Sequence, residues 1–233
     1  MHYHWESLAA GVYRCRLPFL DVTVGLVHGP GGTALVDCGT TLEEAANLGD
    51  DVRELTGSAV THLVMTHHHF DHILGCGGFP DAHGYAAPEV RDALTTSIEA
   101  TAEHARRYGA DTEAVDRALR AARPPGQLCL RAGIDLGDRL VAVEHPGRGH
   151  TGHDLAVIVP PVSPSDRTVV FCGDLVEESA DPAIDAGSDL TAWPATLDRL
   201  MELGGDDAVY VPGHGSVVDA GFIRAQRDWL ADR

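Results

Sequence analysis

A six-residue run, His67–His72 (HHHFDH), constrains this 233-residue chain more than any other feature of its sequence. Neutral imidazole and carboxylate groups are the ligands that zinc and similar divalent ions take in proteins. His67 and His69 alternate, so both side chains can point to one side of an extended segment, while Asp71 and His72 can face a second position close by. The run lies inside the chain and follows a short apolar strand, which argues against a tag. It therefore predicts a metal site.

Three later segments offer further metal ligands, each directly after a β-rich stretch. The donors are His150 in the sequence GRGHTG, Asp174 in FCGD and His214 in VPGHG. Glycines flank each donor, as expected where the backbone approaches an ion closely. Two ions need about seven protein donors plus water, and the run and these segments together supply that number.

The hydrophobic pattern predicts a mixed α/β chain of strands and helices in each half. We expect strands over Val12–Arg16, Val22–Val27, Thr33–Val36, His62–Met65, Leu140–Val143, Ala156–Val159, Thr168–Phe171 and Val209–Val211. We expect helices over Leu42–Leu55, Leu190–Leu203 and Phe222–Leu230, and two helices broken near Gly109 within an insertion of about residues 88–125. Such an order indicates a sheet sandwich clad by helices, here a single domain over residues 1–233. The insertion either forms a cap over the site or only packs against the rest of the domain.

Composition excludes several partners. The net charge of −18 repels phosphate backbones, so we expect no nucleic-acid binding, and no apolar stretch is long enough for a membrane span. The chain contains no lysine, which removes any mechanism that needs one. The N-terminus lacks the pattern of a secretory signal, and five scattered cysteines indicate buried thiols, not disulfides. We therefore expect a cytoplasmic protein that acts on a small molecule, with a homodimer left open.

With these motifs in place, the chain resembles the metallo-β-lactamase superfamily, which includes glyoxalase II, lactonases, β-lactamases and many hydrolases of unassigned substrate. The resemblance extends from Val12 to about Val217. It implies a four-layer αββα sandwich with a binuclear site between the two sheets. It also implies that His67, His69 and His150 bind one metal. Asp71, His72 and His214 would then bind the other, and Asp174 would bridge both.

The same resemblance implies hydrolysis of an ester, thioester, lactone or lactam by metal-bound hydroxide. Two ions, zinc in the first place with iron or manganese as alternatives, would lower the pKa of bound water to about 7 and polarise the carbonyl. Asp71, Asp174 and a bridging hydroxide would leave the centre a charge of about +1. Asp71 would be the catalytic residue, because it can orient the nucleophile and carry its proton.

Four further residues are candidates for the surroundings of the site. Asp37 matches an aspartate that the family places near the metals, and the alternative is a plain turn cap. We expect His68 to contact the ligands or pack beside the strand and not to bind metal. His153 either lines the pocket or faces solvent, and Arg148 either meets an anionic substrate or holds its loop. The remaining histidines are expected to be ordinary structural or surface residues: His2, His4, His28, His62, His83, His104 and His145.

Departures from known relatives narrow the substrate without identifying it. The lysine clamps of glyoxalase II and of the best-known β-lactamases are missing here, unless an arginine replaces them. Homoserine-lactone hydrolases place a tyrosine where this chain has Glu177. We expect residues 88–123 and 177–189 to form the pocket walls. Two other functions stay open: a mononuclear iron dioxygenase acting on persulfides, which would need only His67, His150 and Asp174, and a non-catalytic metal-binding protein.

Overall fold

Two β-sheets form the centre of the computed structural model, which describes all 233 residues. The first sheet has seven strands in chain order: β1 (Glu6–Ala9), β2 (Val12–Arg16), β3 (Thr23–Gly29), β4 (Gly32–Val36), β5 (His62–Val64), β6 (His83–Ala86) and β7 (Gln127–Leu128). The pairs from β1 to β4 are antiparallel, and those from β4 to β7 are parallel. The antiparallel half is a meander joined by tight turns, whereas parallel pairs need crossover segments.

The second sheet has five strands: β8 (Arg131–Asp135), β9 (Leu140–Glu144), β10 (Ala156–Val159), β11 (Val169–Glu177) and β12 (Val209–His214). They lie in the order β12-β11-β10-β9-β8, and only β11 and β12 are parallel. Seven helices accompany the sheets: α1 (Leu42–Thr56), α2 (Phe70–Ile73), α3 (Pro88–Ala93), α4 (Ile98–Arg107), α5 (Thr112–Ala121), α6 (Trp193–Gly204) and α7 (Ala220–Ala231). None of the helices combines the length and the apolarity that crossing a bilayer would require.

Three apolar clusters separate four layers. Because side chains alternate along a strand, Leu35 of β4 packs into the cluster under α1 to α5, whereas Ala34 and Val36 pack between the sheets. Phe171 of β11 likewise lies between the sheets, and Cys172 contacts the cluster under α6 and α7. The αββα sandwich is therefore confirmed. The cysteines are free, and all but the half-buried Cys129 are buried.

The insertion differs from its prediction. It contains three helices and not two, since α3 ends before α4 begins at Ile98. Between them the hydroxyl of Thr95 donates to the Arg91 carbonyl at 2.7 Å, and that of Thr96 donates to the Asp92 carbonyl at 3.2 Å. Such local hydroxyl bonds compete with helix propagation. The insertion packs on the first sheet through small residues: Ala102, Ala105 and Ala118 are buried.

Four strands had no prediction: β1, β6, β7 and β8. The last three are short or interrupted by glycine, and β1 and β8 carry exposed polar residues, so none shows a clean apolar alternation. The remaining predicted elements are present within a few residues of the expected bounds, apart from β11, which runs on to Glu177. The parallel strands β5, β11 and β12 all lead, at or near their carboxyl ends, into the residues singled out above.

Sheet-to-sheet packing can be tested at a single glycine. A Cβ on Gly25 of β3 would lie 2.4 Å from the Phe171 ring of the facing sheet. We expect Gly25→Ala to lower the free energy of unfolding by about 1–3 kcal/mol, because the ring has to move in a packed core. Gly49→Ala in α1 is the matched control: its Cβ meets nothing closer than 3.7 Å, and helix propensity should raise stability by about 0.5–1 kcal/mol. Urea unfolding of both variants measures this, and equal effects would contradict the packing argument.

Candidate metal centre

All seven predicted ligands meet at one end of the sandwich. His67 and His69 follow β5, and Asp71 and His72 lie in the short helix α2 that comes next. The loop between β9 and β10 contributes His150, and Asp174 lies within β11. Strand β12 ends at His214. The carboxyl ends of parallel strands meet at one edge of a sheet, which is why donors far apart in the sequence converge.

The donors fall into two groups. His67, His69, His150 and Asp174 present ligand atoms that all lie within 4.8 Å of one another, and so do Asp71, His72 and His214. Asp174 stands between the groups. Its Oδ2 is 3.6 Å from His67 Nε2 and 3.5 Å from His150 Nε2, and its Oδ1 is 3.2 Å from His72 Nε2. A carboxylate in this position can contact ions of both groups.

The residues present fit bound divalent ions. His67 Nε2 and Asp174 Oδ1 are buried without any hydrogen-bond partner. Ring nitrogens of neighbouring histidines also face each other, at 2.9 Å between His150 Nε2 and His69 Nδ1 and at 3.4 Å between His72 Nε2 and His214 Nε2. Buried polar atoms without partners cost about 1–3 kcal/mol each, so their convergence in a folded protein calls for a ligand. A cation satisfies all of them at once.

The electrostatics of the cluster point the same way. Burial by itself would lower the pKa of His72, but Asp174, Asp71 and Asp37 outweigh it and raise that pKa well above its ordinary value. His214 behaves likewise: burial opposes the rise, and Asp174 above all raises its pKa to about 9. Burial would raise the pKa of Asp174, yet the surrounding histidines hold it well below its ordinary range. The carboxylates thus favour positive charge on their neighbours. Protons on the histidines provide it when no ion is bound, and a divalent ion provides it when it displaces those protons.

A hydrogen-bonded aspartate orients two of the ligands. Asp37 adopts a left-handed backbone conformation with φ of 63°. Its Oδ2 accepts from His72 Nδ1 at 2.8 Å and from the hydroxyl of Thr66 at 2.9 Å, and Thr66 Oγ1 lies 3.0 Å from His67 Nδ1. Each ring is therefore held through Nδ1 and turns Nε2 towards the centre. Asp37 contacts a predicted ligand, as the resemblance implied, and Thr66 is a connection that sequence reasoning missed.

Backbone carbonyls hold two more of the rings. His150 Nδ1 donates to the Ala183 carbonyl at 3.0 Å, and His214 Nδ1 donates to the Leu20 carbonyl at 2.7 Å. Leu20 and Asp21 both have positive φ, 57° and 59°, which is costly for residues other than glycine. The loop between β2 and β3 thus presents its carbonyl to the ligand in a conformation that the surrounding fold must enforce.

The other candidate residues lie elsewhere. His153 neither lines the cavity nor faces solvent: it is buried, with Nε2 3.0 Å from His68 Nδ1. Burial lowers the pKa of His68 to about 4 and that of His153 to about 3, so both rings are neutral. His68 belongs to neither ligand group. Arg148 does not reach the cavity, because its exposed guanidinium lies 3.4 Å from Asp189.

A cavity of about 360 Å³ opens over the centre. Its walls include Leu20, Phe70 and Ile184, and helix α4 and its carboxyl end supply His104 and Tyr108. The predicted walls in residues 88–123 and 177–189 both take part. His104, which was expected to be an ordinary structural or surface residue, lines this cavity, and its ring centroid is 5.9 Å from that of the ligand candidate His69. The one available signal was the i, i+4 spacing of His104 and Tyr108, which places both on one helix face.

Comparison with known proteins agrees with the four-layer fold. The sequence profile of the metallo-beta-lactamase superfamily matches residues 17–214. A protein of Bacillus cereus named metallo-beta-lactamase type 2 is 24% identical over 201 residues, covering 85% of this chain and 69% of that protein. The crystal structure of the DIM-1 metallo-beta-lactamase matches with a TM-score of 0.76 at 17% identity, over 99% of this chain and 97% of that one. A metallo-beta-lactamase from Pontibacter korlensis matches with a TM-score of 0.72 at 20% identity, over 99% and 100% of the two chains.

The role of Asp37 can be tested through metal affinity. We expect Asp37→Asn to weaken zinc binding by about 10- to 100-fold, because an amide nitrogen cannot accept from His72 and Thr66. Asparagine tolerates a positive φ, so the fold should persist. Competition with a chromogenic chelator measures the affinity. Asp50→Asn removes the same charge on exposed helix α1 and should leave it unchanged. Equal affinity in the two variants would contradict a role for Asp37.

Proposed function

The chain belongs to the metallo-beta-lactamase superfamily, and from this premise we propose that it is a hydrolase that uses two divalent metal ions, zinc in the first place, to cleave an ester, thioester, lactone or lactam. The observation that carries the proposal is the presence of two complete donor groups with Asp174 between them. In a single-ion enzyme, the donor groups of Asp71, His72 and His214 would lie together without an ion to bind. The curated relatives are named as metallo-beta-lactamases, so lactams belong among the candidate substrates.

Bound ions would supply two things: an activated water at neutral pH and a positive charge for the developing oxyanion. Neutral imidazoles of His67, His69 and His150 would hold one ion. Asp71, His72 and His214 would hold the other, and Asp174 would contact both. The hydrogen bonds at the far ring nitrogens fix which nitrogen of each histidine carries its proton, so the inward nitrogens stay free to bind.

Asp71 is the residue we assign to proton transfer. Its Oδ2 lies 3.5 Å from His214 Nε2 and 3.6 Å from His72 Nε2, while the residue also lines the cavity. A carboxylate that faces both the ligand group and the open cavity can orient the attacking water and hold its proton until the leaving group departs. Phe70, Leu20 and Ile184 give the cavity apolar walls for the organic part of the substrate.

Removal of the ions tests the proposal directly. Treatment with a chelator should abolish hydrolysis across a panel of esters, thioesters, lactones and lactams, and added zinc should restore it. Asp71→Asn should lower kcat by about 10²- to 10⁴-fold, the usual range for a lost general base. Asp81→Asn, an exposed position away from the cavity, is the matched control and should keep full activity. Hydrolysis that persists after treatment with the chelator would contradict the proposal.

Metal content separates the proposed hydrolase from the other functions. We expect two ions per chain by elemental analysis of the zinc-reconstituted protein. One iron per chain together with oxygen uptake would instead identify the dioxygenase alternative. Two bound ions without hydrolysis of any compound in the panel would identify a non-catalytic metal-binding protein.

A further inference from the structure

Three carboxylates besides those of the donor groups line the cavity: Glu177, Asp181 and Asp185. Glu177 is buried beside His214, whereas Asp181 and Asp185 are exposed on the loop after β11. None of the three forms an ion pair with an arginine. Asp185 Oδ2 faces only the His69 ring, at 3.5 Å. No arginine therefore neutralises these three carboxylates.

Arginine and lysine side chains are absent from the same walls. The residues that line the cavity include no arginine, and the chain has no lysine. Arg16, at the end of β2, pairs with Asp21, and Arg148, in the loop between β9 and β10, pairs with Asp189. Arg107 lines an adjacent groove that also contains Glu89 and Asp92. A substrate carboxylate entering the cavity would thus meet like charges and no partner other than the metal centre.

Resting on the proposed hydrolase function, we propose that the substrate carries a cationic ammonium group and no carboxylate. The ammonium group lies near Asp181 and Asp185, and the adjoining organic part packs against Phe70 and Tyr108. Aromatic faces attract ammonium groups, which adds to the attraction of the carboxylates. A loaded metal centre would carry only about +1, so the exposed carboxylates Asp181 and Asp185 would weigh heavily in the field that an approaching substrate meets.

Three matched substrates measure this preference. They are para-nitrophenyl esters of equal length that end in a trimethylammonium group, in its uncharged tert-butyl isostere, or in a carboxylate. We expect kcat/KM of the zinc-loaded protein to fall about tenfold at each step from cation to neutral to anion, a step of about 1.4 kcal/mol. Raising the salt concentration should shrink the differences, because exposed charges are screened. A carboxylate ester cleaved as fast as the cationic ester would overturn the inference and leave the hydrolase intact.

A variant pair assigns the preference to the cavity wall. Asp181→Asn should lower the ratio of the kcat/KM values for the cationic and neutral esters by about two- to fivefold, the range expected for one exposed charge. Asp207→Asn changes net charge equally on the exposed turn before β12 and should leave that ratio as it is. Equal ratios in both variants would contradict the assignment, since the preference would then follow net charge alone.

Failure of the proposed function is recognised separately. If none of the three esters is cleaved, calorimetric binding of phenethylammonium, phenethyl alcohol and phenylacetate to the zinc-loaded protein tests the inference on its own. Tightest binding of the ammonium compound supports it. Phenylacetate binding as tightly as the ammonium compound, or more tightly, overturns it.

Discussion

The structure depends on the convergence of seven residues with nitrogen and oxygen donors in a space where two of the donor atoms have no hydrogen-bond partner. Placing His67 Nε2 and Asp174 Oδ1 out of water without partners is unfavourable, and so is turning the nitrogens of His72 and His214 towards each other. Packing of the two sheets has to supply the free energy that holds them there. Between the sheets, residues such as Phe171 and Val36 are almost fully buried and provide that packing. The apolar core thus maintains a polar cluster that only a cation relieves.

Ring orientation in the cluster is controlled from outside it. Asp37 reaches His72 directly and His67 through Thr66, so one carboxylate sets two rings. The other rings rely on carbonyl oxygens and on Asp185, which belong to loops and not to the sheets. The loop after β11 therefore has two roles: it contacts the rings of His150 and His69, and it lines the cavity. A change in this loop that alters the cavity can also alter the metal site.

Sequence reasoning predicted the layers and all seven donors because local patterns encode both. The His67–His72 run is contiguous, and each later donor follows an apolar strand with glycine beside it. What escaped prediction depends on tertiary packing. His104 reaches the cavity because helix α4 packs against α2, and the only mark in the sequence is its i, i+4 spacing with Tyr108. His153 is buried by a histidine 85 residues away, which no local pattern could show. The break between α3 and α4 was missed because the threonines in the gap suit helices poorly but do not forbid them.

The contact between His214 and the Leu20 carbonyl joins residues 194 positions apart. Closing so long a loop costs chain entropy, and the cost is recovered only when the sheets on either side have formed. The second donor group therefore comes together after most of the chain has found its place. In folding terms, an ion at that group would be taken up late, because a chain still held open at its last strand has not yet brought Asp71, His72 and His214 together.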